Sequence, residues 1–187
     1  MMIRAMLLAA AAAMPLSACM STMDGETGMS GRSAMSASAA MDMTPEDRVN
    51  YVKMAGASDL FEIQSSQLAL SRAQRPETRA YAQMLIQHHN QTTNATMAAA
   101  RASGMMPPPP MLMPMQQRMM AELQRTSGAG FDRVYLTQQV PAHEMALALH
   151  TNYSQAGDTP ALRQTAATAV PLVQQHLDEA RRMRGMM

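Results

Sequence analysis

Five histidines, His88, His89, His143, His150 and His176, are the residues of this sequence best suited to chemistry. Imidazole ligates zinc, copper, iron and nickel, and it titrates near neutral pH. His143 and His150 stand two helical turns apart and share a face of any helix that carries them, with Gln139 one turn before His143. Glu62 is the notable carboxylate. Ala55, Ser58, Ser66 and Ala69 flank it at helical spacing, and such small residues let a neighbouring helix approach and leave the acid pointing inward. A buried carboxylate or charged histidine is costly unless it is paired or bound to a cation. Glu62, His89, His143 and His176, one from each of four helical segments, make a set of three nitrogens and one oxygen. That set suits a tetrahedral or open site for copper, zinc or iron. Its affinity is expected to weaken below about pH 6.5, where imidazole takes a proton. His88 and His150 are not needed to complete it. The same histidines also read as a structural network, satisfied by Gln, Ser or carbonyl partners and serving only to lock a bundle.

Other chemistry is scarce. There is no P-loop, no Gly-x-Gly-x-x-Gly, no Gly-x-Ser-x-Gly and no Cys-x-x-Cys. No Glu is followed by His three positions on, which disfavours a ferritin-type di-iron centre. No catalytic residue is assigned, and a metal-dependent oxidase or peroxide-handling activity ranks behind simple binding. Met is abundant at 24 residues and clusters between Met105 and Met120. Thioethers bind copper(I), but methionine also fills gaps in cores. With a net charge of +1, the chain lacks the basic excess that nucleic acid demands.

The single cysteine, Cys19, closes an N-terminal address. Arg4 is followed by an uncharged stretch from Ala5 to Ala18, too short for a bilayer span of about 20 residues. The layout is that of a secretory signal. Its exit, Leu16-Ser17-Ala18-Cys19, resembles the bacterial lipobox, in which the cysteine becomes the lipidated N-terminus. Residues 1–18 are therefore read as a lipoprotein signal peptide and 19–43 as a flexible Ser/Gly/Met-rich tether. The expected location is the cell envelope. The chain would face the periplasm on a lipid anchor at Cys19, with the outer membrane as the expected site and that membrane as its partner.

Residues 44–187 must position the histidines. Aromatics make up only 3% of the chain, with no Trp, which argues against β architectures. Thr44-Pro45-Glu46-Asp47 predicts a helix start with Thr44 as cap and Pro45 in the first turn. The helix runs to about Ala73, with Val49, Val52, Leu60, Ile63 and Leu70 as its apolar positions. Pro76 begins a second helix, ended by Gly104 and the proline run 107–110. A Pro/Met-rich connector and a short helix near 115–126 lead to a third long helix, from about Phe131 to Ala156. Thr159-Pro160 begins the fourth, which ends near Arg184. Pro141 and Pro171 should kink the helices that carry them. The expected fold is all-α, a ferritin-like four-helix bundle with one long crossover and a short extra helix.

Phe61-Glu62-Ile63, Leu68-Ala69, Arg79-Ala80-Tyr81-Ala82-Gln83-Met84 and His88-His89 resemble the first half of the bacterial family known as domain of unknown function 4142. Phe131-Asp132-Arg133-Val134-Tyr135-Leu136, Gln139-Val140, His143 and Ala146-Leu147 resemble its third helix, and Leu172 with His176-Leu177 its fourth. The resemblance covers about Asp47 to Arg184 and implies a ferritin-like bundle exported to the envelope, without implying a reaction. It also implies that His89 matches the family histidine. The acid that usually precedes that histidine is replaced here by His88.

Overall fold

A computed structural model describes residues 45–187. The signal, the tether, Cys19 and Thr44 lie outside the described residues. Five helices follow one another: α1 (Arg48–Arg72), α2 (Pro76–Ala102), α3 (Pro114–Arg125), α4 (Ala129–Ala156) and α5 (Pro160–Arg184). Among the described residues there is no strand. None of these helices is long and apolar enough to cross a membrane.

Local chemistry explains most boundaries. Pro76, Pro114 and Pro160 each occupy the first helical turn, where a missing N–H costs nothing. Gly104 ends α2 in the left-handed region at φ 77°. The Gly104 N–H donates to the Arg101 carbonyl and the Met105 N–H to that of Ala100, a Schellman closure that favours glycine. The start of α1 departs from expectation. Asp47 rather than Thr44 is the cap, accepting from the Asn50 N–H at 2.9 Å, and Pro45 and Glu46 precede the helix. The reason is tertiary. The Glu46 carbonyl accepts from the Asp158 N–H at 2.9 Å, and the Asp158 side chain accepts from the Arg48 N–H at 3.2 Å. These bonds draw the chain before Arg48 across to the start of α5.

The four long helices form a ring of neighbours in which α1 packs on α2 and α4, and α5 packs on α4 and α2. The crossover from α2 to α4, including α3, runs along α1: Pro110 packs against Gly56, and Arg72 donates to the carbonyls of Gln124 and Thr126. Covered on three sides, α1 buries only part of the stripe that its large apolar residues suggested: Val52 is buried and Leu60 and Ile63 are half-buried. Val49 is 61% exposed and Leu70 36%, while Ala55, Asp59, Glu62, Ser66 and Ala69 are buried. Small side chains on that face permit close approach of the neighbours. Pro141 and Pro171 lie inside continuous helices on exposed faces.

The apolar core is split in two. One cluster gathers Phe61, Leu85, Phe131, Tyr135, Leu136 and Leu177 among others. The second, at the other end of the bundle, gathers Tyr51, Val52, Leu149, Tyr153 and Leu162. The four tyrosines each find a partner: Tyr51 with His150, Tyr81 with the His176 carbonyl, Tyr135 with Ser66, and Tyr153 with Asp158.

Asp132, within the Phe-Asp-Arg-x-Tyr-Leu stretch, has a structural role. Helix α2 has no side-chain cap of its own. Asp132, reaching across from α4, accepts from the N–H groups of Gln74 (2.8 Å) and Arg75 (3.2 Å). Burial opposes its ionisation, but these donors outweigh it and hold the carboxyl below its ordinary value. The folded state therefore binds fewer protons than the unfolded chain. The resulting stability is present above the unfolded value near 3.9 and is lost as pH falls through the lower folded value. Asp132→Ala is expected to cost about 1.5–3 kcal/mol, the range for hydrogen bonds to a charged group, as read by urea denaturation at neutral pH.

Candidate metal centre

A polar layer separates the two apolar clusters. Its members come from near the middle of each long helix: Asp59, Glu62 and Ser65 from α1, His88 and His89 from α2, Gln139 and His143 from α4, and His176 from α5. Glu62, His89, His143 and His176 are all buried, none above 2% exposure. The helices therefore bring the four sequence-predicted residues to one level of the bundle.

Three of them form a tight group. The ring centroids of His89, His143 and His176 lie 5.2–5.6 Å apart. One ring nitrogen from each lies within 4.8 Å of those of the other two. Zinc–nitrogen bonds of about 2.0–2.1 Å in a tetrahedron place ligand nitrogens roughly 3.3 Å apart, so modest ring rotations would close the set.

Each ring is also held from behind. The His89 Nδ1–H donates to Asp59 Oδ1 at 2.8 Å. The His143 Nδ1–H donates to the Gln139 carbonyl at 2.8 Å. Nε2 of His176 meets Nδ1 of His88 at 2.8 Å. The remaining nitrogens, His89 Nε2, His143 Nε2 and His176 Nδ1, are buried without a hydrogen-bond partner. Metal-ligating histidines share this arrangement, one nitrogen oriented by an outer partner and the other left for the ion. Unpartnered polar atoms are otherwise rare in a folded interior. The donor set fits a transition metal with a preference for imidazole.

Glu62 does not join this donor set. Its nearest histidine contact is 3.8 Å to His143 Nδ1, the nitrogen engaged by the Gln139 carbonyl. Both of its oxygens are buried without a hydrogen bond. The structure thus departs from the expectation of Glu62 as fourth ligand and makes it an adjacent buried acid. It lies on the Gln139 side of the His143 ring. His150 stands apart and pairs with Tyr51 at 3.1 Å. His88, expected to be dispensable, contacts His176 directly.

Asp59 was the residue that sequence reasoning missed. It lies three positions before Glu62, on the same helical face, and that spacing was its available signal. It accepts from His89, Thr92 and Thr93 together.

Electrostatics prepare most of the set. Burial and the His89 charge push His143 down to about 3. Burial and the three neighbouring imidazoles push His176 to about 2. Both are neutral at physiological pH, so each ring keeps one unprotonated nitrogen. Burial also opposes a charge on His89, but the hydrogen bond and charge of Asp59, with Glu62, outweigh it and raise its pKa. Burial drives Glu62 up to about 7, against the pull of His89 and Gln139. Among the methionines, Met106 and Met111 of the connector are exposed and Met120 joins the core.

Several solved structures share this fold. CopM in its Cu(I)-bound form is 17% identical with a TM-score of 0.62, the match covering 73% of this chain and 94% of that one. CopM in its Cu(II)-bound form is 17% identical with a TM-score of 0.64, covering 74% and 96%. A DUF305 fragment from Deinococcus radiodurans is 19% identical with a TM-score of 0.65, covering 77% and 98%. At these identities the likeness concerns the fold. Among curated proteins, none matches the chain. The sequence profile of DUF4142, a domain of unknown function, matches residues 32–183, a span that holds the candidate ligands and most of the chain, and the protein belongs to that family.

Proposed function

We propose that this protein is a lipid-anchored envelope bundle that binds a single copper ion through His89, His143 and His176. The observation that carries the reading is the convergence of three buried imidazoles, each with one nitrogen held by a partner and the other unpartnered. Imidazole alone does not choose among copper, zinc and iron. Copper is favoured because CopM, a bundle of the same fold, has been solved with Cu(I), Cu(II) and Ag bound. The role is binding, as storage, buffering or scavenging, with no reaction assigned.

The test is metal titration of protein purified without a histidine tag, using copper(II) and zinc(II) in parallel. The wild type should take up one copper ion per chain, and His143→Ala should lose it. Equal uptake by both proteins would remove the site. A second reading follows from the same bonds: the Asp59–His89 and His88–His176 pairs link α1 to α2 and α2 to α5, and could serve only to lock the helices. It wins if His143→Ala lowers stability while neither protein binds metal.

The anchor belongs to the same proposal and rests on Leu16-Ser17-Ala18-Cys19. Acylation at Cys19 would hold the chain on the envelope membrane, several acyl chains being needed for a stable anchor. Cys19→Ser should shift the protein from the membrane to the soluble fraction or leave it unprocessed. Unchanged fractionation and migration would refute the anchor.

A further inference from the structure

The partners that hold the three imidazoles differ in kind. The Asp59 carboxylate and the Gln139 carbonyl can only accept. They therefore place a proton on Nδ1 of His89 and of His143 and leave Nε2 as the nitrogen for ligation. His176 instead meets another imidazole. Its Nε2 lies 2.8 Å from His88 Nδ1, with the rings stacked 14° from parallel.

Between two neutral rings that contact holds one proton, and it can run either way. If His88 donates, His176 accepts on Nε2 and carries its own proton on Nδ1, where it blocks ligation. If His88 accepts, His176 is the Nε2–H tautomer and Nδ1 keeps its lone pair. Burial separates the two cases. His176 is fully buried and its Nδ1 has no partner, so a proton there would make a buried orphan donor. His88 is half-buried, and its Nε2 is not among the buried unpartnered atoms, so it can keep its proton at the solvent edge.

We propose that His88 is a positioning residue of the centre, whose Nδ1 accepts the Nε2–H of His176 and so leaves the His176 Nδ1 lone pair available to the ion. The inference rests on the copper reading above and extends it beyond the three ligands. Outer partners of this kind typically change metal affinity by about 10–100-fold. His88 also differs from the other two partners in its access to water.

The experiment compares His88→Ala, His88→Asn and His143→Ala for copper(II) affinity. The Asn oxygen branches from Cγ as Nδ1 does and accepts from the same place, so His88→Asn should stay close to wild type. His88→Ala should weaken binding by about 10–100-fold. Wild-type affinity in His88→Ala overturns the proposal, as does an equal loss in the Ala and Asn variants. Nitrogen-15 NMR of the metal-free wild type at mildly alkaline pH reads the tautomer directly. A pyridine-like Nδ1 and a pyrrole-like Nε2 on His176 support the role, and the reverse assignment overturns it. If His143→Ala retains copper, the copper reading fails by itself, and the nitrogen spectrum still decides what His88 does.

Discussion

Copper(II) at a hundredfold excess over its dissociation constant should stabilise the wild-type bundle by about 2.7 kcal/mol, and His143→Ala should gain nothing. For a domain of this size that corresponds to a rise in Tm of roughly 5–10 °C. The ion would cross-link α2, α4 and α5 at mid-height, where the apolar core is interrupted. Its energy is therefore available only to the folded state. The pH dependence of this gain differs from that of three ordinary histidines. His143 and His176 are already neutral down to about 3 and 2 and offer no proton to displace. His89 alone holds one, because Asp59 and Glu62 raise its pKa against burial. Binding should release about one proton per ion from His89 and, at and below about pH 7, part of a second from Glu62, and affinity should begin to fall at a pH above the ordinary histidine value near 6.5. Calorimetry in buffers of different ionisation enthalpy counts that proton. Release of three would show that His143 and His176 are not pre-neutralised by burial.

How far the sequence could be read depended on how local the cause was. Pro76, Pro160 and Gly104 act within one helical turn, and the helix limits fell where those residues put them. The start of α1 did not, because Thr44 and Asp47 are both competent caps. The choice between them is made by Asp158, more than a hundred residues away. The histidines could be found by type and the four helices by periodicity. That the four chosen residues share one level of the bundle follows from each lying near the middle of its helix. The division of labour among them was not legible. Glu62 and Asp59 lie one turn apart on the same face of α1. The register of α2 against α1 decides that Asp59 accepts from His89 while Glu62 makes no hydrogen bond. Nothing in the spacing distinguishes His88 from a surface residue either. Its role depends on where α5 places the His176 ring. Hydrophobicity alone does not find the core of α1 either: Val49 and Leu70 lie in its first and last turns and stay exposed, while its middle is buried down to Ser65 and Ser66.

Glu62→Gln should act with opposite sign in the metal-free and metal-bound protein. Both oxygens of Glu62 are buried without a hydrogen bond, and burial raises its pKa to about 7. A raised acid means that the folded state binds more protons than the unfolded chain between about 4.3 and that higher value. Stability is therefore lost as pH rises through this window, by an amount on the order of 3 kcal/mol once the carboxylate is fully charged. Gln has the same shape and no charge to desolvate. The metal-free variant should accordingly be more stable than wild type above pH 7, by roughly 1–3 kcal/mol, with the difference shrinking toward zero as the pH is lowered below 5. A cation reverses the balance. Three neutral imidazoles supply no negative charge, and a buried ion needs some within a few ångströms. Glu62, beside His143 at 3.8 Å, and Asp59, behind His89, are the acids placed to provide it. Removing the Glu62 charge should weaken copper(II) binding while strengthening the empty fold. Urea denaturation of the two proteins, with and without copper and at two pH values, separates these effects. A variant less stable than wild type at neutral pH without metal would mean that Glu62 is held by partners the fold does not reveal. A variant with unchanged copper affinity would leave Asp59 alone as the counter-charge of the centre.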